Sequence, residues 1–351
     1  MTTDTVQTFT DGHDVPARPR YDVVVVGGGA AGLSGALALS RARRSVLVID
    51  SGRPRNAPAG HVHSYLTQEG VAPSQLLATG RAEVGRYGGE LVRGNVAGAE
   101  RLADGRFRLV LDGGATVEAD RLLVTTGLVD ELPQVPGLAE RWGREVLHCP
   151  YCHGWEVRDQ AIGILATGPM AVHQALMWRQ WSDDVTLFLH TGPEPSDEEY
   201  EQLAARGIAA VDGRVTSVQV TDDRLSGVAL ESGKVIARQA LVVAPRFTAR
   251  AAFLAGLGLE ASEQEVNGVV IGSHVAADPT GATAVPGVWV AGNVANVTDQ
   301  VIGAAAAGVR AAGALNADLI AEETRRAVER SRRDGLARAG AERGRGAPGA
   351  G

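Results

Sequence analysis

The chain has 351 residues, 44% of them apolar, which is enough for two or three domains and excludes a single small core. Its net charge of −7 is unevenly spread: residues 325–351 carry eight Arg against three acids, which leaves the body at −12 and unsuited to nucleic acid. No apolar run approaches the roughly 18 residues that span a membrane, and residues 1–20 lack the apolar stretch of a secretory signal. A soluble, cytoplasmic protein with a disordered segment at 1–20 is expected.

The first motif is YDVVVVGGGAAGLSGALALSRARRSVLVID. An apolar strand at 23–26 runs into Gly27, Gly29 and Gly32 in G-x-G-x-x-G spacing, then a helix, then a second strand ending at Asp50. Gly27 permits the tight turn, Gly29 lets the backbone approach a pyrophosphate, and Gly32 lets helix and strand pack closely, with the helix N-terminus facing the anion. Asp50 can then accept from a ribose hydroxyl. The following segment, SGRPRNAPAGHVHSYLTQEG (51–70), reads as a long loop of the kind that often carries function.

Further along, LDGGATVEADRLLVTTG (111–127) and LESGKVIARQALVVAPR (230–246) align without a gap as hairpin, apolar strand and turn, which implies two related domains. Between them, AIGILATGPMAVHQALMWRQWSDDVTLFLH (161–190) repeats strand, turn, helix and strand. Its Met177, Trp178 and Trp181 are expected to pack in the core rather than line a pocket. PGVWVAGNVANVTDQVIGAAAAGVRAAGAL (286–315) is another buried strand, a Gly292-Asn293 turn and a small-residue helix. The expected fold class is α/β: two Rossmann-like, three-layer dinucleotide-binding domains, the second (129–247) inserted in the first (21–128 and 248–324). Residues 325–351, rich in Gly, Ala and Arg, are expected to form a disordered tail.

The only cysteines are Cys149 and Cys152, within HCPYCH. A disulfide closing so short a loop restrains the unfolded chain little. Haem attachment at C-x-x-C-H needs an exported chain, and zinc would have to draw four ligands from six consecutive residues. A redox pair is the reading that remains.

The order of these motifs resembles the two-dinucleotide flavoproteins, and with Cys149-Pro-Tyr-Cys152 ahead of the second βαβ unit it resembles the low-molecular-weight thioredoxin reductases over about residues 20–322. The resemblance implies FAD, held by Gly27, Gly29, Ala30, Gly32, Asp50, Val96, Thr126, Gly127, Gly292, Asn293, Gln300 and Val301, with Asn56 and His63 of the long loop able to reach the ring. Asn293 stands where the family has the Asp that holds the ribityl chain. In the family the second cysteine, matching Cys152, faces the flavin, and the first, matching Cys149, exchanges with substrate. A homodimer is likewise implied.

Two departures narrow the resemblance. His153 replaces the family's acid after the second cysteine; it or His148 could draw protons from an incoming dithiol. Where the family has G-x-G-x-x-A for NADPH, this chain has Ala166-Thr167-Gly168-Pro169-Met170-Ala171, and where its arginines clamp the 2′-phosphate it has 190–196 without an arginine until Arg206. Charged hydrogen bonds are worth roughly 1.5–3 kcal/mol each, so losing two or three costs several orders of magnitude in affinity. The pattern is then closest to the dithiol oxidases similar to those closing the disulfides of holomycin and gliotoxin. The expected function is oxidation of a small-molecule dithiol, with electrons passing from the cysteines to FAD to O2. The alternatives are a reductase acting on a thioredoxin-like protein, driven by NADPH or another donor, and a flavin-bearing redox sensor. No metal, nucleic-acid or membrane partner is expected.

Overall fold

The structure, a computed structural model, describes residues 15–266 and 268–345. Most of the expected N-terminal disordered segment lies outside the described residues. The chain opens with β1 (Arg20–Val26), α1 (Ala30–Arg41), β2 (Val46–Asp50), α2 (Pro73–Arg86) and β3 (Glu90–Arg93). The three strands are parallel, with residues 23–26 in register with 46–49. Val23 and Val25 pack with Ala36 and Leu39 of α1, while Val24 and Val26 join Leu47 and Ile49 on the opposite face. A parallel strand inside a sheet is buried on both sides, which is why VVVV reads as a run and not as an alternation. An antiparallel meander of β4 (Val96–Arg101), β5 (Phe107–Leu111) and β6 (Thr116–Val124) follows, and β6 lies parallel to β1.

From β7 (Leu128–Glu131) the chain enters a second unit: α3 (Leu138–Arg141), β8 (Val146–Leu147), α4 (Pro150–His153), β9 (Ile162–Leu165), α5 (Ala171–Trp178), β10 (Val185–Phe188), α6 (Asp197–Ala205) and β11 (Ala209–Val211). The antiparallel strands β12 (Val215–Thr221), β13 (Arg224–Leu230) and β14 (Val235–Ala237) form a separate sheet, and β15 (Ala240–Val242) completes a parallel sheet of order β11-β10-β9-β15-β8. The repeat seen at 111–127 and 230–246 therefore has one continuous strand in its first copy and two short ones in its second. β16 (Arg246–Ala249) pairs antiparallel with β7, so the chain leaves and re-enters this unit along adjacent strands. β17 (Ser262–Val266) and β18 (Val269–His274) extend that small sheet. β19 (Val288–Val290) then lies beside β6 in the first sheet, and α7 (Val301–Arg345) packs on α1. The second unit is inserted in the first.

The helix α7 departs from the reading of 325–351 as a disordered tail: it runs through 325 to Arg345, while residues 346–351 lie outside the described residues. Among the residues of α7 whose burial is described, the last buried one is Leu319; beyond it, the Ala- and Arg-rich composition that suggested disorder is also strongly helix-forming, and Glu322 pairs with Arg326 one turn on. Arg121 of β6 ties the same stretch down through Asp318 and Glu322.

Close approach of α1 and α7 depends on glycine. A Cβ at Gly308 would fall on the Ala31 carbonyl, and one at Gly35 would meet both Leu123 and the Gly308 carbonyl. Gly308→Ala should therefore destabilise by about 1–3 kcal/mol, lowering the thermal midpoint by ~2–4 °C per kcal/mol. Gly313, on the same helix but exposed and with open space at its Cβ position, should tolerate or gain from Ala. Thermal unfolding of the two variants checks this; equal shifts would contradict the crossing.

Candidate active site

The three motif glycines differ in surroundings. Gly27 has φ +107°, and a Cβ there would strike the Thr125 carbonyl. Gly29, at the start of α1, has nothing within 4 Å of its Cβ position and faces open space. Gly32 has no room at all: its Cβ would land on the Gly27 carbonyl and against Thr125 Oγ1. Asp50 accepts from the Gly28 N–H through Oδ1 at 3.0 Å and from the Gly52 N–H through Oδ2 at 3.3 Å, which fixes the turn and leaves each oxygen a further lone pair.

A cavity of about 1070 Å³ begins at Gly27, Gly29, Ala30 and Asp50 and extends to Cys149 and Cys152. Its wall includes Asn56, His63, Val96, Thr126, Gly127, Gly292, Asn293, Gln300 and Val301, together with His148 and His153. Of the sequence-predicted site residues only Gly32 is absent from the wall, because it is packed behind the turn.

Three placements refine the reading. The Asn293 amide donates to the carbonyls of Asn296 (3.1 Å) and Asp299 (2.9 Å), and its Oδ1 accepts from Arg55 Nη1 at 3.2 Å, so the side chain shapes the loop before α7 and offers a ligand only a spare lone pair. Both nitrogens of His63 face carboxylates, Glu69 at 2.6 Å and Glu156 at 3.4 Å, rather than an open ring edge. Trp178 is fully buried as expected, and Trp181 packs edge-on to Tyr151, but Met177 lines the cavity, in contrast to the core position expected for it.

Arg55 was not legible in the sequence. It makes two hydrogen bonds to buried Asp130 on β7, at 2.8 and 2.7 Å, and lies over the Phe247 ring of β16 at 5.2 Å. One guanidinium thus joins the long loop, both connecting strands and the Asn293 turn. Gln174 of α5 and Asp299 also line the cavity without having been signalled. Burial pushes the Asp299 carboxyl up.

Both cysteines are free and half-buried. Cys149 precedes α4, with Pro150 at its first position. Its pKa is lowered to about 6, chiefly because Cys152 donates its thiol proton to it; the N–H groups of Cys152 and Tyr151 and the Gln300 carboxamide add to this, against burial. Cys152, as that donor and a buried thiol, is pushed up, with the Arg55 charge opposing. Burial lowers both His148 and His153, so both imidazoles are neutral at pH 7. The His148 ring faces the Val243 carbonyl through Nδ1 at 3.1 Å, which places the proton there and leaves Nε2 as acceptor.

The second cradle is different in kind. Ala166, Gly168, Pro169 and Ala171 border a depression of about 260 Å³ whose far wall is Pro193, Glu194, Pro195, Ser196 and Glu199, with no cation among its lining residues. Ser196 and Glu199 form a reciprocal cap on α6, and Tyr200 donates to Glu194.

Residues 21–312 match the family of pyridine nucleotide-disulphide oxidoreductases. The chain belongs to this family. It is 32% identical over 312 residues to the thioredoxin reductase tcpT of Claviceps purpurea, spanning 85% of this chain and 95% of that one, and 32% identical over 314 residues to the thioredoxin reductase sirT of Leptosphaeria maculans, spanning 84% and 93%. The crystal structure of HlmI superposes with a TM-score of 0.83 at 46% identity, covering 89% of this chain and 96% of that one. The resemblance read from the motifs holds: this is a thioredoxin reductase-like disulfide oxidoreductase, and its cofactor is FAD. The cavity fits such a group, with an open Gly29 at a helix N-terminus for a pyrophosphate, Asp50 for a ribose, and a path to the thiols.

The shared proton makes a testable statement about the reduced pair. The alkylation rate of Cys149 by iodoacetamide should follow a midpoint near pH 6. In Cys152→Ala, which removes the largest cause of the shift, the midpoint should rise toward the ordinary 9.0. An unchanged midpoint would assign the low pKa to another cause.

Proposed function

We propose that the protein is a dithiol oxidase that closes a disulfide in a small-molecule dithiol and passes the electron pair through Cys149 and Cys152 to FAD and O2, giving H2O2. The observation that carries this reading is the contrast between the two cradles. One is wide and reaches a reactive thiol pair; the other is proline-walled, bordered by Glu194 and Glu199, and lacks a lining cation that could hold a phosphate.

The chemistry follows from the thiol and imidazole protonation. A substrate thiol attacks the Cys149 sulfur of the oxidised pair, the S–S bond breaks, and the Cys152 sulfur leaves. Because Cys152 holds its proton tightly, it must be protonated as it leaves, and a neutral imidazole carries the substrate's proton across. We assign this to His153, which lines the cavity next to Cys152 in the chain and makes no side-chain hydrogen bond among the described residues, whereas His148 has Nδ1 on the Val243 carbonyl and its ring against Phe247. The second substrate thiol gives its proton to the imidazole, which has been returned to its neutral form, and thence to solvent; it then expels Cys149 as thiolate, the better leaving group of the two, and the product departs as a disulfide. Bound FAD supplies the two-electron acceptor for the resulting thiolate–thiol pair and the outlet to O2. Reduction of a thioredoxin-like protein is the second reading, favoured by the exposure of Tyr151 and Trp155 beside the cysteines.

In air, 1,4-dithiothreitol should drive oxygen uptake with equimolar H2O2, and Cys149→Ser or Cys152→Ser should each reduce it to background. His153→Asn should lower kcat about 10²-fold. The wild-type kcat/KM should fall only at a pH below the ordinary imidazole range, because burial delays protonation of His153, and the Asn variant should lack that limb. Disulfide reduction at the expense of NADPH without dithiol-driven oxygen uptake would favour the second reading.

A further inference from the structure

The cavity wall holds three acids, Asp50, Asp130 and Asp299. Asp50 accepts from the backbone N–H groups of Gly28 and Gly52, and Asp130 is held by two hydrogen bonds from Arg55. Asp299 is different. Its Oδ1 accepts from the Asn296 carboxamide at 2.8 Å, and no cation or backbone N–H lies within bonding distance of its carboxylate among the described residues. Arg310 acts on it only from a distance, with its own Nε on the Pro279 carbonyl at 3.0 Å. Burial pushes the carboxyl up, the mark of a charge that water and cations leave poorly compensated.

The place of Asp299 along the cavity follows from the two ends. Gly29 at the start of α1 and Asp50 suit the dinucleotide half of FAD, so the ring that accepts electrons lies toward Cys149 and Cys152. Asp299 belongs to that stretch. Its carbonyl accepts from Asn293, Asn293 accepts from Arg55, the Arg55 guanidinium lies over Phe247, and the Phe247 ring meets His148, the residue before Cys149, at 5.2 Å. The carboxylate is held against the first turn of α7, where a Cβ at Gly303 would come within 3.2 Å of Oδ1.

We infer that Asp299 lowers the reduction potential of the bound FAD by placing an uncompensated carboxylate at the thiol end of its cavity. This rests on FAD in the cavity and not on the direction of electron flow proposed above. Reduction adds an electron pair, and wherever fewer protons than electrons arrive the ring gains negative charge, which a neighbouring carboxylate opposes. A unit charge about 10 Å away, in a medium of effective dielectric about 20, changes an equilibrium constant on the order of tenfold. Arg55 does not cancel this, since Asp130 already matches its charge, and His148 and His153 are neutral at pH 7. Arg53 and Arg250, also on the wall, are exposed to water, which screens them. A ring that holds its electron pair less tightly is loaded by a strongly reducing dithiol and not by a weakly reducing monothiol, and it passes the pair on more completely.

The test is the midpoint potential of the FAD-loaded protein, measured without oxygen against a reference dye through the visible flavin band, at a pH above the carboxylate range. Wild type is compared with Asp299→Asn, Asp299→Ser and Asp299→Glu. Both neutral variants should favour reduced flavin about tenfold more than wild type does, which for a two-electron couple is a rise of about 30 mV. Asp299→Glu, which keeps the charge, should stay with wild type, and FAD content and the spectrum of the oxidised flavin should be the same throughout. Should Asp299→Asn fail to fold or load FAD, Asp299→Ser carries the comparison. Equal potentials in wild type and the neutral variants, or a Glu variant that shifts with them, would overturn the inference. Oxygen uptake plays no part in this measurement, so a failure of the oxidase reading is seen separately. Wild-type protein that takes up no FAD would overturn the inference together with the cofactor.

Discussion

The constraint on which the rest of the structure depends is the meeting, at one cavity, of Cys149 and Cys152 with Gln300 and Val301. It joins the first turn of the C-x-x-C segment to the residue before α7, two places far apart in the chain. They meet because β7 and β16 pair side by side, carrying the inserted unit out and back at one point. The return of β19 to the first sheet and the glycine-mediated crossing of α1 and α7 then bring Gln300 and Val301 to the cavity. Arg55 holds this junction from a third direction, through Asp130, Phe247 and Asn293. Removing a partner from such a partly buried charged pair leaves the other charge unpaired, which is why the junction should be rigid.

The charge states follow from that enclosure. Half-burial opposes ionisation of both thiols, yet one proton shared between two sulfurs lets Cys149 carry a negative charge that several donors solvate. The same burial keeps His148 and His153 neutral and therefore able to take a proton. Across the molecule, Glu194 and Glu199 and three prolines occupy the region where a nicotinamide dinucleotide would need donors and positive charge. The second unit keeps the strand-helix-strand framework because β9, α5 and β10 bury the core of Ile162, Ile164, Ala175, Trp178, Val185 and Leu187, a requirement independent of any ligand.

What the sequence revealed was local or periodic. The separate situations of Gly27, Gly29 and Gly32, the continuous apolar strands and the inserted order all follow from spacing, since backbone turns and sheet burial are set within a few residues. The engagement of Asn293 with its own loop, the two carboxylates around His63, and the positions of Arg55 and Gln174 depend on segments distant in sequence and leave no pattern. The misreading at 325 has a different cause. Glycine, alanine and arginine suggested disorder by composition, while alanine and arginine also have high intrinsic helix propensity, and a helix already nucleated in the core needs little else to continue.

The account's central claim is that electrons enter through the cysteine pair and not through the second cradle. An anaerobic titration of the FAD-loaded protein, followed at the visible absorption band of the oxidised flavin, tests it most directly, since bound flavin is the common electron acceptor for either route. The account predicts that a dithiol bleaches the band while NADPH, at concentrations far above the protein, leaves it intact. Bleaching by micromolar NADPH would contradict it.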